Sequence, residues 1–186
     1  QLSRGLGDVY KRQGTLFALK VKMTSIPEMV ALFNGFGGLS SFFLAWSEFN
    51  NYSTISLVLI ITYMTVFIGG VTFSGSLIAF FKLSEILKGT STIVNSISRW
   101  FLIFICFFVL IAIAQVILNS FGILVFNFEL IEITFIAFLI ISLLAGLAFV
   151  VPIGGGDMPV VISLLNSLSG IAAVSYTHLT LPTIGC

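Results

Sequence analysis

Two carboxamides inside long apolar runs, Asn34 and Asn166, are the groups of this chain whose type and place most require a chemical account. An amide left unpaired in hydrocarbon is costly, so each must find a partner on a neighbouring helix or on trapped water. A pair of such groups between helices is a natural place for water and proton transfer, although neither titrates. Around them run stripes of small and hydroxyl residues at helical spacing. Asn34, Gly37, Gly38, Ser41 and Ala45 share one face, as do Thr62, Thr65, Gly69, Thr72 and Ser76 on a second helix. Ser163, Asn166, Ser167 and Gly170 form a third stripe. Small residues at this spacing are also how membrane helices approach closely, so packing and a polar path both remain open.

Two acids sit where helices should begin. Ser25-Ile26-Pro27-Glu28 fits a capping box, with Ser25 as N-cap and Glu28 reaching back. Asp157-Met158-Pro159 reads as a second start, with Asp157 over the free amides and the proline in the first turn. Capping and a functional role are both open for Glu28 and Asp157. Other chemistry finds little support. Cys106 and Cys186 form no metal-ligand or disulfide pattern, so no metal site is expected. Gly154-Gly155-Gly156 follows an apolar run instead of a strand, which is the wrong context for a dinucleotide fingerprint. No catalytic and no cofactor-binding residue is expected within this stretch.

The elements that hold these residues follow from composition. The chain has 186 residues, 58% hydrophobic and 8% charged, with a net charge of +1. This excludes a soluble domain and a disordered chain, and it leaves no basic patch for nucleic acid. Apolar runs near 26–47, 55–82, 99–119, 130–150 and from 158 onward each have the length of a bilayer core. The expected fold is therefore all-α, a polytopic transmembrane helix bundle of about five spans in the lipid bilayer. The first, second and fifth spans carry the polar stripes and are expected to form the inner group, with the third turned to lipid and the fourth, holding Ser142 and Gly146, intermediate. Lys20, Lys22, Lys82, Lys88 and Arg99 fall on one side of this alternation and Glu48, Glu129 and Glu132 on the other, which puts the Gly154–Asp157 turn on the cytoplasmic side.

The two ends read as foreign to the rest. Asp8-Val9-Tyr10-Lys11-Arg12-Gln13 can be written GAT GTG TAT AAG AGA CAG, which resembles a transposon end used in sequencing libraries. Its reverse complement in a shifted frame spells Val174-Ser175-Tyr176-Thr177-His178. One adaptor thus accounts for residues 1–13 and 174–186, and leaves 14–173 as the natural transmembrane stretch. That stretch has no histidine.

Three segments carry a family resemblance: Lys22-Met23-Thr24-Ser25-Ile26-Pro27-Glu28-Met29-Val30; Gly70-Val71-Thr72-Phe73-Ser74-Gly75-Ser76 with Ala79-Phe80-Phe81-Lys82-Leu83; and the run from Gly155-Gly156-Asp157-Met158-Pro159 to Asn166-Ser167. They resemble the membrane domain of the beta subunit of proton-translocating NAD(P) transhydrogenase. The resemblance implies a bacterial inner-membrane module that conducts protons while NADH reduces NADP+. It also implies that NADP(H) and NAD(H) bind domains outside this stretch, that an alpha subunit is the partner, that the full complex is a dimer, and that this piece alone is inactive. By the resemblance, Glu28, Ser76, Asp157 and Asn166 match positions that are functionally sensitive in the family; Asn34, Ser76 and Asn166 are expected on the proton path, and Asp157 and Glu28 in its coupling to the nucleotide domain. The resemblance also implies a proton-binding histidine, placed by many relatives in the first of these helices, where this chain has Asn34; an amide cannot carry that proton. A polytopic transporter and a structural membrane anchor are the alternatives. The spans show no convincing internal repeat, which weighs against the first, and their asparagines weigh against the second.

Overall fold

The computed structural model describes residues 2–49, 56–87, 92–120 and 128–184, and over these it is all-helical. The helices are α1 (Leu2–Lys20), α2 (Ile26–Phe49), α3 (Ser56–Leu83), α4 (Thr92–Ser120), α5 (Phe128–Val150) and α6 (Met158–Ile184), with short 3-10 turns at Met23–Ser25 and Gly155–Asp157. Five stretches are long and apolar enough to cross a membrane: Met23–Ser47, Val58–Leu83, Ser98–Gln115, Ile131–Val150 and Gly155–Ser175. They coincide with the five expected spans. Hydrocarbon offers the backbone no partners, so an apolar run of this length satisfies its own N–H and C=O groups as helix. The side chains from Val9 to Lys20 of α1 are exposed.

Helix α3 is the hub, packing against α2, α5 and α6 and more lightly against α4. Two apolar clusters mark the two ends of the bundle. One joins Phe42, Ala45 and Phe49 of α2 to Tyr63 and Val66 of α3 and Phe135, Phe138 and Leu139 of α5. In it the rings of Phe49 and Phe135 stack with centroids 3.8 Å apart. The other joins Ala31 of α2, Ala79 of α3, Val150 of α5 and Met158, Val161, Ile162 and Leu165 of α6. The end of α2 therefore meets the starts of α3 and α5, while its start meets their ends and the start of α6. Successive spans alternate in direction, which sets Lys22, Lys82 and Asp157 at one end and Glu132 at the other. Lys88 and the Asn50–Ser53 link lie outside the described residues, as do the side chains of Glu48 and Glu129. Thiol labelling of Lys22→Cys and Glu132→Cys in oriented vesicles should report opposite sides. Labelling from one side would break the five-span topology.

In lipid there is no hydrophobic force between helices, so close approach depends on small residues. A Cβ added at Gly38 would lie 2.8 Å from the Thr72 Cβ and 2.9 Å from the Gly69 carbonyl, so α2 and α3 touch backbone to backbone here. On another side of α3, a Cβ at Gly70 would meet the Ser142 side chain, and one at Gly146 would meet Ser74. This corrects the ranking of the spans. Of the span windows, α5 at 44% buried is second only to α3 at 50%, whereas α2 and α6 are each 28% buried. Two small residues, Ser142 and Gly146, suffice to seat α5 because each faces a small residue of α3. Helix α4, 12% buried, turns Trp100, Ile103, Phe107 and Leu110 outward, in line with a lipid-facing span.

The helix starts also differ from expectation. Ser25 does not cap α2: it ends the 3-10 turn Met23–Ser25, where its N–H bonds the Lys22 carbonyl at 2.9 Å, and neither Ser25 nor Glu28 forms a side-chain hydrogen bond. The turn itself uses amides that a capping box would have served. Asp157 likewise ends a 3-10 turn, with its N–H bonded to the Gly154 carbonyl at 3.2 Å and its carboxylate exposed. The end of α3 is closed by paired bonds from Glu85 N to the Lys82 carbonyl (3.2 Å) and from Ile86 N to the Phe81 carbonyl (3.1 Å). This is the Schellman pattern, with Glu85 at φ 57° in the left-handed position that glycine usually fills.

Candidate functional site

The two helices that touch at Gly38 and Gly69 also carry a buried contact between polar side chains. One turn along, the Asn34 amide donates from Nδ2 to Ser76 Oγ at 2.9 Å, with both residues buried. A bond at this depth answers the desolvation cost of both groups. On the side of it toward the start of α3, that helix buries Thr62, Thr65 and Thr72; Thr62 returns its hydroxyl to the Val58 carbonyl, while the hydroxyls of Thr65 and Thr72 are buried without a partner. Beside Thr72 the α2 and α3 backbones meet directly at Gly38 and Gly69.

A cleft of about 550 Å³ lies between α2 and α6, with Asn34 and Gly37 on one wall, Ser163, Asn166 and Ser169 on the other, and Val30, Phe33 and Ile162 as apolar lining. The structure thus orders Ser76, Asn34, the cleft and Asn166 across three helices. Asn34 and Asn166 share the cleft but do not bond each other. The α6 stripe is not part of the buried core, contrary to expectation: Ser163, Asn166, Ser167 and Gly170 are exposed, and the packed face of α6 is Met158, Val161, Ile162, Leu165 and Ala172. Both faces have helical spacing, and the apolar one seats against the Ala79 face of α3. Glu28 is half-buried six residues, about 9 Å, before Asn34, and Asp157 lies nine residues, about 13.5 Å, before Asn166. Neither acid lines the cleft; both stand at its end of the bundle.

Sequence reasoning missed how the α5–α6 turn is held. Lys82, read only as an orientation charge, is 8% exposed and donates from Nζ to the carbonyls of Val151 (2.5 Å), Ile153 (2.6 Å) and Val150 (3.4 Å). Ser98 of α4 donates its hydroxyl to the Ala148 carbonyl. Pro152 was the available signal. It has no N–H, so the carbonyl four residues earlier, that of Ala148, lacks its helical donor and must be served from another element.

The sequence profile of the family described as "NAD(P) transhydrogenase beta subunit" matches residues 8–181. The NAD(P) transhydrogenase subunit beta of Rhodospirillum rubrum is 32% identical over 171 residues, 86% of this chain and 34% of the relative. A second protein of that description, from a designated strain of the same organism, has the same identity and coverage. The chain spans about a third of the length of these curated relatives. With most of its length inside the family match, this integral-membrane helical chain belongs to the NAD(P) transhydrogenase beta subunit family.

Proposed function

We propose that residues 14–173 are the proton-conducting membrane module of a nicotinamide nucleotide transhydrogenase, which couples hydride transfer from NADH to NADP+ to proton translocation. The observation that carries this reading is the buried Asn34–Ser76 bond facing a cleft whose opposite wall holds Asn166. A polar line across three helices is more than a membrane anchor needs. On this reading NADP(H) and NAD(H) bind domains outside this stretch. The nucleotides supply the redox chemistry there. The chain's own residues hold the polar line, exclude bulk water with the Gly38–Gly69 contact, and present Asp157 and Glu28 at the end where a nucleotide domain would dock.

On this reading the partners are the alpha subunit and the NADP-binding domain of the same subunit, the complex is a dimer, and the membrane is a bacterial inner membrane. Residues 1–13 and 174–186 are translated adaptor. The coding sequence beyond residue 173 tests this directly. An NADP-binding domain there is the expected result, and a stop codon soon after Ala173 would overturn the reading. A purified 14–173 protein should transfer no hydride between nicotinamide nucleotides. In the complete enzyme Asn166→Leu should lower proton pumping per folded complex by about tenfold or more, as expected when a polar group is removed from a transfer path. Normal pumping per folded complex in that variant would remove Asn166 from the path.

A further inference from the structure

We infer that Lys82 is a positioning residue of the coupling apparatus, tying the turn that bears Asp157 to the helix that bears Ser76. The inference rests on the proton-module reading above and adds to it the element that joins the two ends of the proposed coupling. A helix leaves its last four carbonyls without intrahelical donors, and at a membrane boundary water serves them poorly. The carbonyls of Val151 and Ile153 lie just past the last residue of α5, and Lys82 supplies a donor to each. The Lys82 ammonium has three N–H groups, and its three bonds to Val150, Val151 and Ile153 use all of them. A cation on a helix C-terminus is also favoured by the helix dipole.

A lysine serving only to orient the chain would extend its ammonium into the headgroups. This one folds back onto carbonyls and is 8% exposed. Lys82 lies six residues, about 9 Å, along α3 from Ser76. The turn it holds leads directly to Asp157 and then to Met158, which is fully buried against the Ala79 end of α3. A displacement of Asp157 is therefore passed to α3 through the ammonium and through Met158. Without the ammonium, only the second of these links, the Met158 contact, joins the turn to α3.

The test uses the complete enzyme in reconstituted vesicles and reads two quantities. Hydrogen exchange of the Val151, Ile153 and Asp157 amides, all hydrogen-bonded in the turn, reports local opening. Protons moved per hydride transferred report coupling, which a purely structural role would leave unchanged in the complexes that fold. Lys82→Met should speed exchange of these amides by about tenfold or more, the scale of a lost charge-assisted bond. It should also lower protons per hydride to about half or less. Lys82→Arg, which keeps the charge and the donors, should move both values back toward the parent. If Lys82→Met fails to assemble, Lys82→Gln, with two N–H donors and no charge, is read in the same assays. Unchanged exchange, or faster exchange with unchanged protons per hydride, overturns the inference. A parent enzyme that transfers hydride but moves no protons overturns the proton-module reading instead, and the exchange comparison then decides by itself whether Lys82 holds the turn.

Discussion

Asn34→Leu in the complete enzyme should reduce proton translocation per folded complex by about tenfold or more, while most of the complex still assembles. Magnitudes separate the two effects. Interhelical hydrogen bonds in membrane proteins contribute about 0.6 kcal/mol on average and about 1.7 kcal/mol at most, too little to dissolve a five-helix bundle. The Asn34–Ser76 bond is one such contact, so its loss leaves Ser76 Oγ unpaired without unseating α2. The cleft, by contrast, loses its polar wall and gains an isobutyl group between Ser76 and Asn166. Asn34→His is the complementary change, since it restores the residue type that the family resemblance associates with proton binding. Pumping in that variant should acquire a dependence on pH between about 5 and 8, where an imidazole titrates and an amide does not. Vesicles assayed for both pumping and folded complex decide the matter. Losses of pumping and of folded complex in equal proportion after Asn34→Leu would assign Asn34 to packing alone.

The sequence made the spans legible because apolar length is a one-dimensional signal that lipid reads directly. The run at 130–150 and the observed Ile131–Val150 differ by a single residue at one end, and the run at 26–47 begins three residues after the observed Met23. Which face of each span turns inward was much less legible. Asn34 and Ser76 were singled out for their polarity, and the structure brings them within 2.9 Å. The α6 stripe was singled out by the same rule, yet its hydroxyls are exposed while the apolar face packs. Spacing at i, i+3 and i+4 says that residues share a face and is silent on what the face meets. The role of α5 depended on Ser142 and Gly146 being opposite Gly70 and Ser74, a register between distant segments that no local pattern encodes. The Lys82 contacts were hidden for the same reason: the acceptors lie 68 to 71 residues away in the chain.

Gly38→Ala should be a strongly damaging single methyl at the α2–α3 crossing. The added Cβ would sit 2.8 Å from the Thr72 Cβ and 2.9 Å from both the Gly69 carbonyl and the Phe73 amide nitrogen. Two of these three neighbours are backbone, so no side-chain rotation relieves the clash and the helices must separate by several tenths of an ångström. Overpacking of this kind costs about 1–3 kcal/mol in well-packed interiors. Its consequence reaches the polar line, because Gly38 is one turn from Asn34 and Thr72 one turn from Ser76. Separation at the glycines lengthens the 2.9 Å bond that the crossing sets. Gly37→Ala is the control on the same helix, since a Cβ there meets nothing within 4 Å. Thermal unfolding of the detergent-solubilised complex should therefore show a clear loss of stability for Gly38→Ala and none for Gly37→Ala. The two variants differ by one position and by the same methyl group, so helix propensity cannot separate them. Equal stability would mean that α2 and α3 do not meet backbone to backbone, and that the geometry of the Asn34–Ser76 junction is set by something other than this crossing.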